Sequence, residues 1–228
     1  RARIARRYAV KSLALDLHLH STLSPCADPS MDPRAVVRRA KDCGLSLIAF
    51  CDHDRIGAAQ EPFSVDGLAV LQGVEITTLE KTHLLGIFPH WEAAVALARE
   101  LGLPHGKNTE RAHRKGNYPT LPEAVRVIHN VGGLAIAAHV DRPSSGLLGK
   151  VGCIPNVGLD AIELSASGLY RIDTLHLAQY GLPVLVGSDS HDLSEIGSVY
   201  CTASLRSACF EELAQALREA SDWRCHSA

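Results

Sequence analysis

The feature of this sequence that most constrains its fold is an alternation of short apolar runs with stretches of helical periodicity. Such alternation is typical of a parallel sheet or barrel. The predicted strands are Leu13–Leu19, Leu45–Cys51, Leu68–Ile76, His83–Phe88, Leu134–His139, Leu159–Leu164, Val184–Val186 and Val199–Ala203. The predicted helices are Asp32–Cys43, Trp91–Leu101, Leu121–Asn130, Ile172–Tyr180 and Ala208–Ala220. We expect a small α/β barrel, with an open doubly wound sheet as the alternative.

A less regular segment interrupts this series at residues 102–120. It combines Gly, Pro and Asn with the basic residues Lys107, Arg111, Arg114 and Lys115. We interpret it as a long loop or small insertion within a single domain of residues 13–228, preceded by an N-terminal extension of residues 1–12. Its basic side chains either contact a second phosphate of a substrate or only solvate the loop.

Composition restricts the class of protein. With 46% hydrophobic and 21% charged residues, the chain resembles a soluble globular protein, and no apolar run is long enough to span a membrane. A net charge of −2 provides no general affinity for nucleic acid, although a local basic patch is compatible with it. The 7 cysteines form no CxxC pair, which argues against a disulfide framework or a cysteine-ligated zinc site and favours the cytoplasm.

One face of the first predicted strand carries ligand-type side chains. Asp16, His18 and His20 alternate with leucines, so all three project from the same face. A lone histidine is more often a hydrogen-bonded core or surface residue than a metal ligand. Burying two imidazoles and a carboxylate together costs free energy that a divalent cation would offset. The motif alone leaves both interpretations open.

The same residue types recur at other strand ends. The candidates are Asp52, His53, Glu75, His139, Asp189 and His191 after apolar runs, and His83 at the start of one. Each is compatible with a turn or a helix cap, but sites in α/β folds are built at the carboxyl ends of strands. Glu163 also ends an apolar run, where a structural hydrogen bond is equally compatible, so we do not include it in the predicted site.

Together these residues resemble the polymerase and histidinol phosphatase (PHP) family, in the family's order over most of the chain. The matching motifs are Asp16-Leu17-His18-Leu19-His20-Ser21, Asp52-His53, Gly73-Val74-Glu75, His83, Ala138-His139 and Ser188-Asp189-Ser190-His191. The resemblance implies the family's distorted (β/α)7 TIM-like barrel. It also implies hydrolysis of phosphate esters at a site of two or three divalent metal ions, Mn, Zn or Fe. Segments 24–28 and 141–145 resemble a short-chain subgroup of metal-dependent phosphoesterases.

The resemblance further implies three sets of metal ligands. The first set is His18, His20, Glu75 and Asp189. The second set is Glu75, His83 and His139. The third set is His53, His191 and an acid after the first strand. Asp28 is the candidate for that acid, although it comes later than the family's usual spacing, and nearby Cys26 is a softer alternative.

The same resemblance assigns supporting roles. Asp16 and Asp52 are expected to orient the ligating imidazoles. Arg142 is expected to bind substrate phosphate, since a guanidinium matches two phosphate oxygens and Asp141 is the only obvious carboxylate near it. Glu75 would bridge two cations and support a bridging hydroxide, whose pKa falls from 15.7 toward about 7.

Several functions remain open at this point. A phosphatase or phosphodiesterase acting on a small phosphorylated molecule or nucleotide is the main expectation. The alternatives are a nuclease acting on nucleic-acid ends, an amidohydrolase-type enzyme and a non-catalytic metal-binding module. Amidohydrolase barrels commonly add a bridging lysine, and no lysine lies at a predicted strand end. The oligomeric state is not predicted.

Overall fold

The structure, a computed structural model, describes residues 9–60, 63, 65–105, 117–172, 174–219 and 222–227. Its strands are β1 (Lys11–Leu19), β2 (Leu47–Phe50), β3 (Ala69–Thr77), β4 (His83–Phe88), β5 (Leu134–Ala137), β6 (Ala161–Leu164), β7 (Val184–Val186), β8 (Val199–Leu205) and β9 (Arg224–Ser227). Its helices are α1 (Pro33–Asp42), α2 (Trp91–Leu101), α3 (Leu121–Asn130), α4 (Gly168–Arg171), α5 (Thr174–Leu177) and α6 (Phe210–Arg218). Short π and 3-10 turns occupy Leu147–Val151, Ala178–Tyr180 and Leu193–Glu195.

The strands form one mixed sheet in the order β7-β6-β5-β4-β3-β2-β1-β8-β9. Strands β1, β2 and β3 pair in parallel, as do β5, β6 and β7. Strand β4 is antiparallel to both β3 and β5, so its amino end lies at the same rim as the carboxyl ends of those strands. This arrangement explains why His83 begins its strand whereas most candidate ligands follow theirs.

The sheet curls into a nearly closed barrel. At the rim, the segment after β7 pairs with β1 through an isolated parallel bridge between Leu19 and Ser190. Farther from the rim, thiols contact the β7 backbone: the Val186 N–H lies 3.1 Å from Cys201 Sγ, and Cys225 Sγ lies 3.6 Å from the Val184 carbonyl oxygen. The edge strand β7 therefore lies against β1, β8 and β9, which nearly closes the sheet.

The predicted barrel class is confirmed in its coarse form, a mixed α/β barrel-like sheet. A regular (β/α)7 succession is not observed in the part of the chain that the structure describes. There, β3 continues into β4 through a turn at residues 78–82, and the described residues between β2 and β3 include no helix. Helix Ile172–Tyr180 was predicted as one element, but the structure has α5 and a 3-10 turn there. Strand β9 was not predicted, and much of the predicted 102–120 insertion lies outside the described residues.

Amphipathic helices cover the sheet. Helix α1 begins where the Asp32 side chain accepts from the Arg34 N–H, with Pro33 in the first turn, as the sequence predicts. Helices α2 and α3 bury one face each against β4 and β5, in a cluster that includes Leu97, Val127 and Ile128. Among the described residues, no helix is long and apolar enough to cross a membrane.

Candidate metal centre

The candidate ligands meet at the rim defined by the parallel strand ends. Two of them, His139 and Asp189, follow β5 and β7 with φ angles of 26° and 50°. Positive φ is uncommon for residues other than glycine and is tolerated where the surroundings hold the backbone in place. Here the His139 N–H donates to the Glu163 carboxylate at 3.1 Å. The backbone thus turns abruptly after both strands and directs the side chains toward the centre of the rim.

Glu75 lies at the middle of the cluster and is completely buried. Its Oε1 lies 2.7 Å from His83 Nδ1 and 2.8 Å from His139 Nε2. Its Oε2 lies 2.7 Å from His53 Nδ1, yet has no hydrogen bond of acceptable geometry. A buried carboxylate oxygen without a hydrogen bond is costly, and a cation is the partner that this donor set fits.

A second group of donors is buried beside Glu75. His20 Nε2 and His18 Nε2 lie 2.8 and 3.2 Å from Asp189 Oδ1, and 3.2 Å from each other. Both nitrogens also lie within 3.5 Å of Glu75 Oε2. Two imidazole nitrogens facing each other and two carboxylates can direct their lone pairs at one ion. The four side chains match the first set of ligands that the sequence predicted.

The remaining imidazoles extend the cluster toward solvent. One group of converging donor atoms is His53, Glu75 and His83, and another is His20, His53 and His191. His139 joins the first through its contact with Glu75 Oε1 rather than as a separate group. The rings of His20 and His191 are stacked, with centroids 4.0 Å apart. The donors are imidazole nitrogens and carboxylate oxygens, which suit Zn, Mn or Fe.

The structure separates Asp28 from these groups. Asp28 is exposed, and its Oδ1 accepts from the Ser30 N–H at 2.8 Å within its own turn. No group of converging donors among the described residues includes it. Cys26, two residues earlier, contributes a hydrogen bond to His53. The predicted third ligand set is therefore represented by His53 and His191 together with His20.

The charges of the cluster depend on one another. Burial works to raise the pKa of Glu75, but the facing imidazoles of His18 and His53 hold it well below its usual range. Burial lowers the pKa of His20 to about 4, which leaves a lone pair available near neutral pH. Burial also acts against a charged His53, yet Glu75 raises its pKa to about 10. The carboxylates are thus ionised, and positive charge, as protons or metal ions, is required beside them.

Asp52 and Asp16 support the site differently from expectation. Asp52 accepts from the Ser21 N–H and from the Ser24 hydroxyl, and Ser24 Oγ in turn contacts His20 Nδ1, so Asp52 orients an imidazole indirectly. Asp16 contacts no imidazole among its hydrogen bonds: it accepts from the backbone N–H groups of His18 and Ser188. Burial raises its pKa to about 7. It therefore holds the backbone of β1 against the segment after β7.

Glu163 fills the orienting role that Asp16 lacks. At the end of β6, its Oε1 lies 2.9 Å from His18 Nδ1. Glu163 was not among the site residues predicted from the sequence. Its position in the sequence could have indicated this role, because Glu163 comes at the end of an apolar strand, as the other candidates do.

Arg142 is not isolated from the metal ligands. Asp141 was the expected neighbouring carboxylate, but its oxygens accept from the N–H and hydroxyl of Ser165. Arg142 Nη1 instead lies 2.5 Å from Asp189 Oδ2. The expectation that Arg142 lacks a carboxylate other than Asp141 is thus wrong, because the turn after β5 brings it across the rim to the end of β7.

Comparisons with known proteins agree with this geometry. A family model described as PHP-associated matches residues 177–221. A 5′-3′ exoribonuclease of Haemophilus influenzae is 26% identical over 249 aligned positions, covering 77% of this chain and 89% of that protein.

Two solved structures share the fold. The lesion-specific endonuclease PfuEndoQ of Pyrococcus furiosus has a TM-score of 0.74 and 19% identity, covering 94% of this chain. Endonuclease Q in complex with a 27-mer duplex substrate has a TM-score of 0.73 and 18% identity. This chain spans 58% of the length of endonuclease Q.

The fold and the histidine–carboxylate cluster define a barrel-like α/β protein whose rim gathers side chains suited to bind metal. The PHP-associated match at residues 177–221 and the fold shared with endonuclease Q support the PHP resemblance that the motifs implied. The expected reaction class, hydrolysis of phosphoester bonds, agrees with the exoribonuclease name of the curated relative.

Proposed function

We propose that this chain hydrolyses phosphate esters at a centre of two or three divalent ions, Mn, Zn or Fe. The observation that supports this most is the position of Glu75, whose two oxygens face different imidazoles: His83 and His139 on one side and His53 on the other. A carboxylate with donors converging on both oxygens is suited to bridge two cations. Buried His18, His20 and Asp189 would complete one metal site.

The protein's contribution to catalysis follows from the placement of its own groups. Bound cations would supply an acidified water and neutralise charge on the phosphoryl oxygens. Glu75 and Asp189 would hold those cations, and the neutral His20 ring offers its nitrogen as a ligand. Arg142, with 41% of its side chain exposed beside this buried cluster, is positioned to meet a substrate oxygen.

The substrate class is the finer part of the proposal. A small phosphorylated molecule or a nucleotide fits the small net charge of the chain. A second candidate, cleavage at nucleic-acid ends, is favoured by the relatives, which include an exoribonuclease and an endonuclease with a duplex substrate. Both candidates require the same metal centre and differ in the surface that surrounds it.

A substrate panel tests the proposal. Chelated protein is reloaded with manganese, zinc or iron and assayed on a phosphomonoester, a phosphodiester, mononucleotides and 5′-phosphorylated oligoribonucleotides. We expect turnover of phosphoesters that disappears on chelation. Hydrolysis of amides or lactones but not phosphoesters would instead identify an amidohydrolase, and metal binding without any turnover would identify a non-catalytic module.

A further inference from the structure

Glu163 connects two parts of the candidate metal centre, although none of the groups of converging ligands among the described residues includes it. Its carboxylate is 2% exposed and lies at the end of β6, across the barrel interior from β1. We propose that Glu163 is a positioning residue that fixes the His18 ring and the His139 backbone so that both point at Glu75. This inference rests on the proposed metal centre and assigns it a supporting group.

The contact with His18 determines which ring nitrogen is available. Both carboxylate oxygens of Glu163 face His18 Nδ1, at 2.9 and 3.2 Å. An ionised carboxylate can only accept, so Nδ1 carries the hydrogen and donates it. The opposite nitrogen, Nε2, is then the one that faces Asp189 and Glu75, at 3.2 and 3.5 Å. Hydrogen bonds of this kind fix the tautomer of a ligating histidine and increase its basicity.

The contact with His139 stabilises an unusual backbone. The His139 N–H donates to Glu163 Oε1, and the next residue, Val140, donates its N–H to the Glu163 carbonyl oxygen at 2.8 Å. These two bonds secure the turn in which His139 adopts a φ of 26°. The same carboxylate oxygen therefore binds both the His18 ring on β1 and the His139 N–H after β5.

Space for the Glu163 carboxylate depends on a glycine. A Cβ atom at Gly187 would lie 2.5 Å from Glu163 Oε2 and 2.8 Å from the Cβ of His18. Any side chain at that position would displace the carboxylate or the histidine. Because Gly187 has no side chain, the Glu163 carboxylate on β6 can reach His18 on β1 past the end of β7.

A matched control lies at the beginning of the same strand. Asp160, just before β6, also accepts from a histidine ring, His129 Nε2 at 2.9 Å, and from a backbone N–H, that of Ala135 at 2.8 Å. Asp160 is a carboxylate with the same two kinds of partner but is no part of the metal centre. Asp160→Asn therefore reproduces the loss of charge and of hydrogen bonding without touching His18.

The experiment compares Glu163→Gln with Asp160→Asn. Metal dissociation constants are measured by titration of the chelated proteins, with melting temperature as a check of folding. We expect Glu163→Gln to bind metal ~10–100-fold more weakly and Asp160→Asn to bind like the parent. Equal affinity in Glu163→Gln and the parent, or an equal loss in both variants, would overturn the proposal.

A second readout separates this inference from the proposed function. In the metal-free protein, the NMR signal of the His18 Nδ1–H should show a strong hydrogen bond to a carboxylate in the parent and in Asp160→Asn, and a weaker one in Glu163→Gln. An unchanged His18 Nδ1–H signal in Glu163→Gln would overturn the positioning role. Failure of the parent to bind any metal would instead contradict the proposed centre while leaving the Nδ1–H signal to decide the role of Glu163 at His18. Glu163→Asp, which keeps the charge but shortens the reach, provides the same test if the Gln variant fails to fold.

Discussion

Arg142 and Asp189 form an ion pair of 2.5 Å at the rim of the barrel, between the turn after β5 and the end of β7. The other oxygen of Asp189 faces His18 and His20. The guanidinium therefore reaches a proposed metal ligand directly, and it also remains 41% exposed. We propose that Arg142 both orients Asp189 and binds a phosphate oxygen.

This pairing determines the expected effect of Arg142→Ala. Loss of one positioned donor should lower kcat/KM by ~2–4 kcal/mol of transition-state stabilisation. Because Asp189 also loses its partner, metal affinity should weaken modestly. Arg142→Lys should restore only part of kcat/KM and of metal affinity, since an ammonium group cannot make the two parallel hydrogen bonds of a guanidinium. Steady-state kinetics and metal titration measure the two effects separately.

The control for this variant is Arg126→Ala. Arg126 forms an exposed ion pair of 3.6 Å with Glu100, and such pairs contribute little. It should match the parent in kinetics and metal content. Arg142→Ala kinetics equal to those of Arg126→Ala would show that Arg142 has no role.

Glu75→Gln should remove metal and activity while the fold is retained. Glutamine keeps the size of the side chain but lacks the charge that offsets two cations and the facing imidazoles. Elemental analysis should show at least one metal equivalent fewer than in the parent, with near-background turnover. Glu123→Gln, an exposed change in the first turn of α3, serves as the control. An active Glu75→Gln enzyme would rule out bridging by this carboxylate.

Asp28→Asn should leave metal content and turnover unchanged. Its carboxylate is exposed and bonded to the Ser30 N–H, away from the converging donors. His191→Ala should instead lower metal content, because its ring is stacked on His20 within a ligand group. Metal analysis of the two variants side by side distinguishes them. A loss of metal in Asp28→Asn comparable to that in His191→Ala would restore Asp28 as a ligand.

Metal removal should destabilise the whole domain. Without cations, the buried carboxylates of Glu75 and Asp189 depend on protonated imidazoles for their charge balance. Metal that binds only the folded state adds about 2.7 kcal/mol when its free concentration is 100 times Kd. Each kcal/mol corresponds to about 2–4 °C in melting temperature for a chain of this length. Calorimetry before and after chelation and reloading measures this, and an unchanged Tm would show that the cluster binds no metal tightly.

The sequence predicted the elements whose pattern is local. Strand β4 and helices α2 and α3 have the predicted bounds, because their apolar periodicity and caps are contained within each segment. The strand-end histidines and acids are brought together as predicted, since parallel strands share a rim. The contacts missed at Glu163 and Arg142 join β6 to β1 and the turn after β5 to β7. Such contacts depend on how the sheet curls, which a linear pattern does not contain.

Gly187→Ala tests whether the close approach of Glu163 on β6 to His18 on β1 is required for metal binding. The added Cβ would lie 2.5 Å from Glu163 Oε2 and 2.8 Å from His18 Cβ, so one of these side chains must move. Overpacking of this kind costs ~1–3 kcal/mol, and displacement of the His18–Glu163 pair should weaken metal binding as well. Gly133→Ala is a matched overpacking control, since its Cβ would lie 2.9 Å from the Phe88 ring and away from the metal ligands. We expect denaturant unfolding to show a loss of stability in both variants, whereas only Gly187→Ala should bind metal more weakly. Equal metal affinities in the two variants would show that the site tolerates a side chain at position 187.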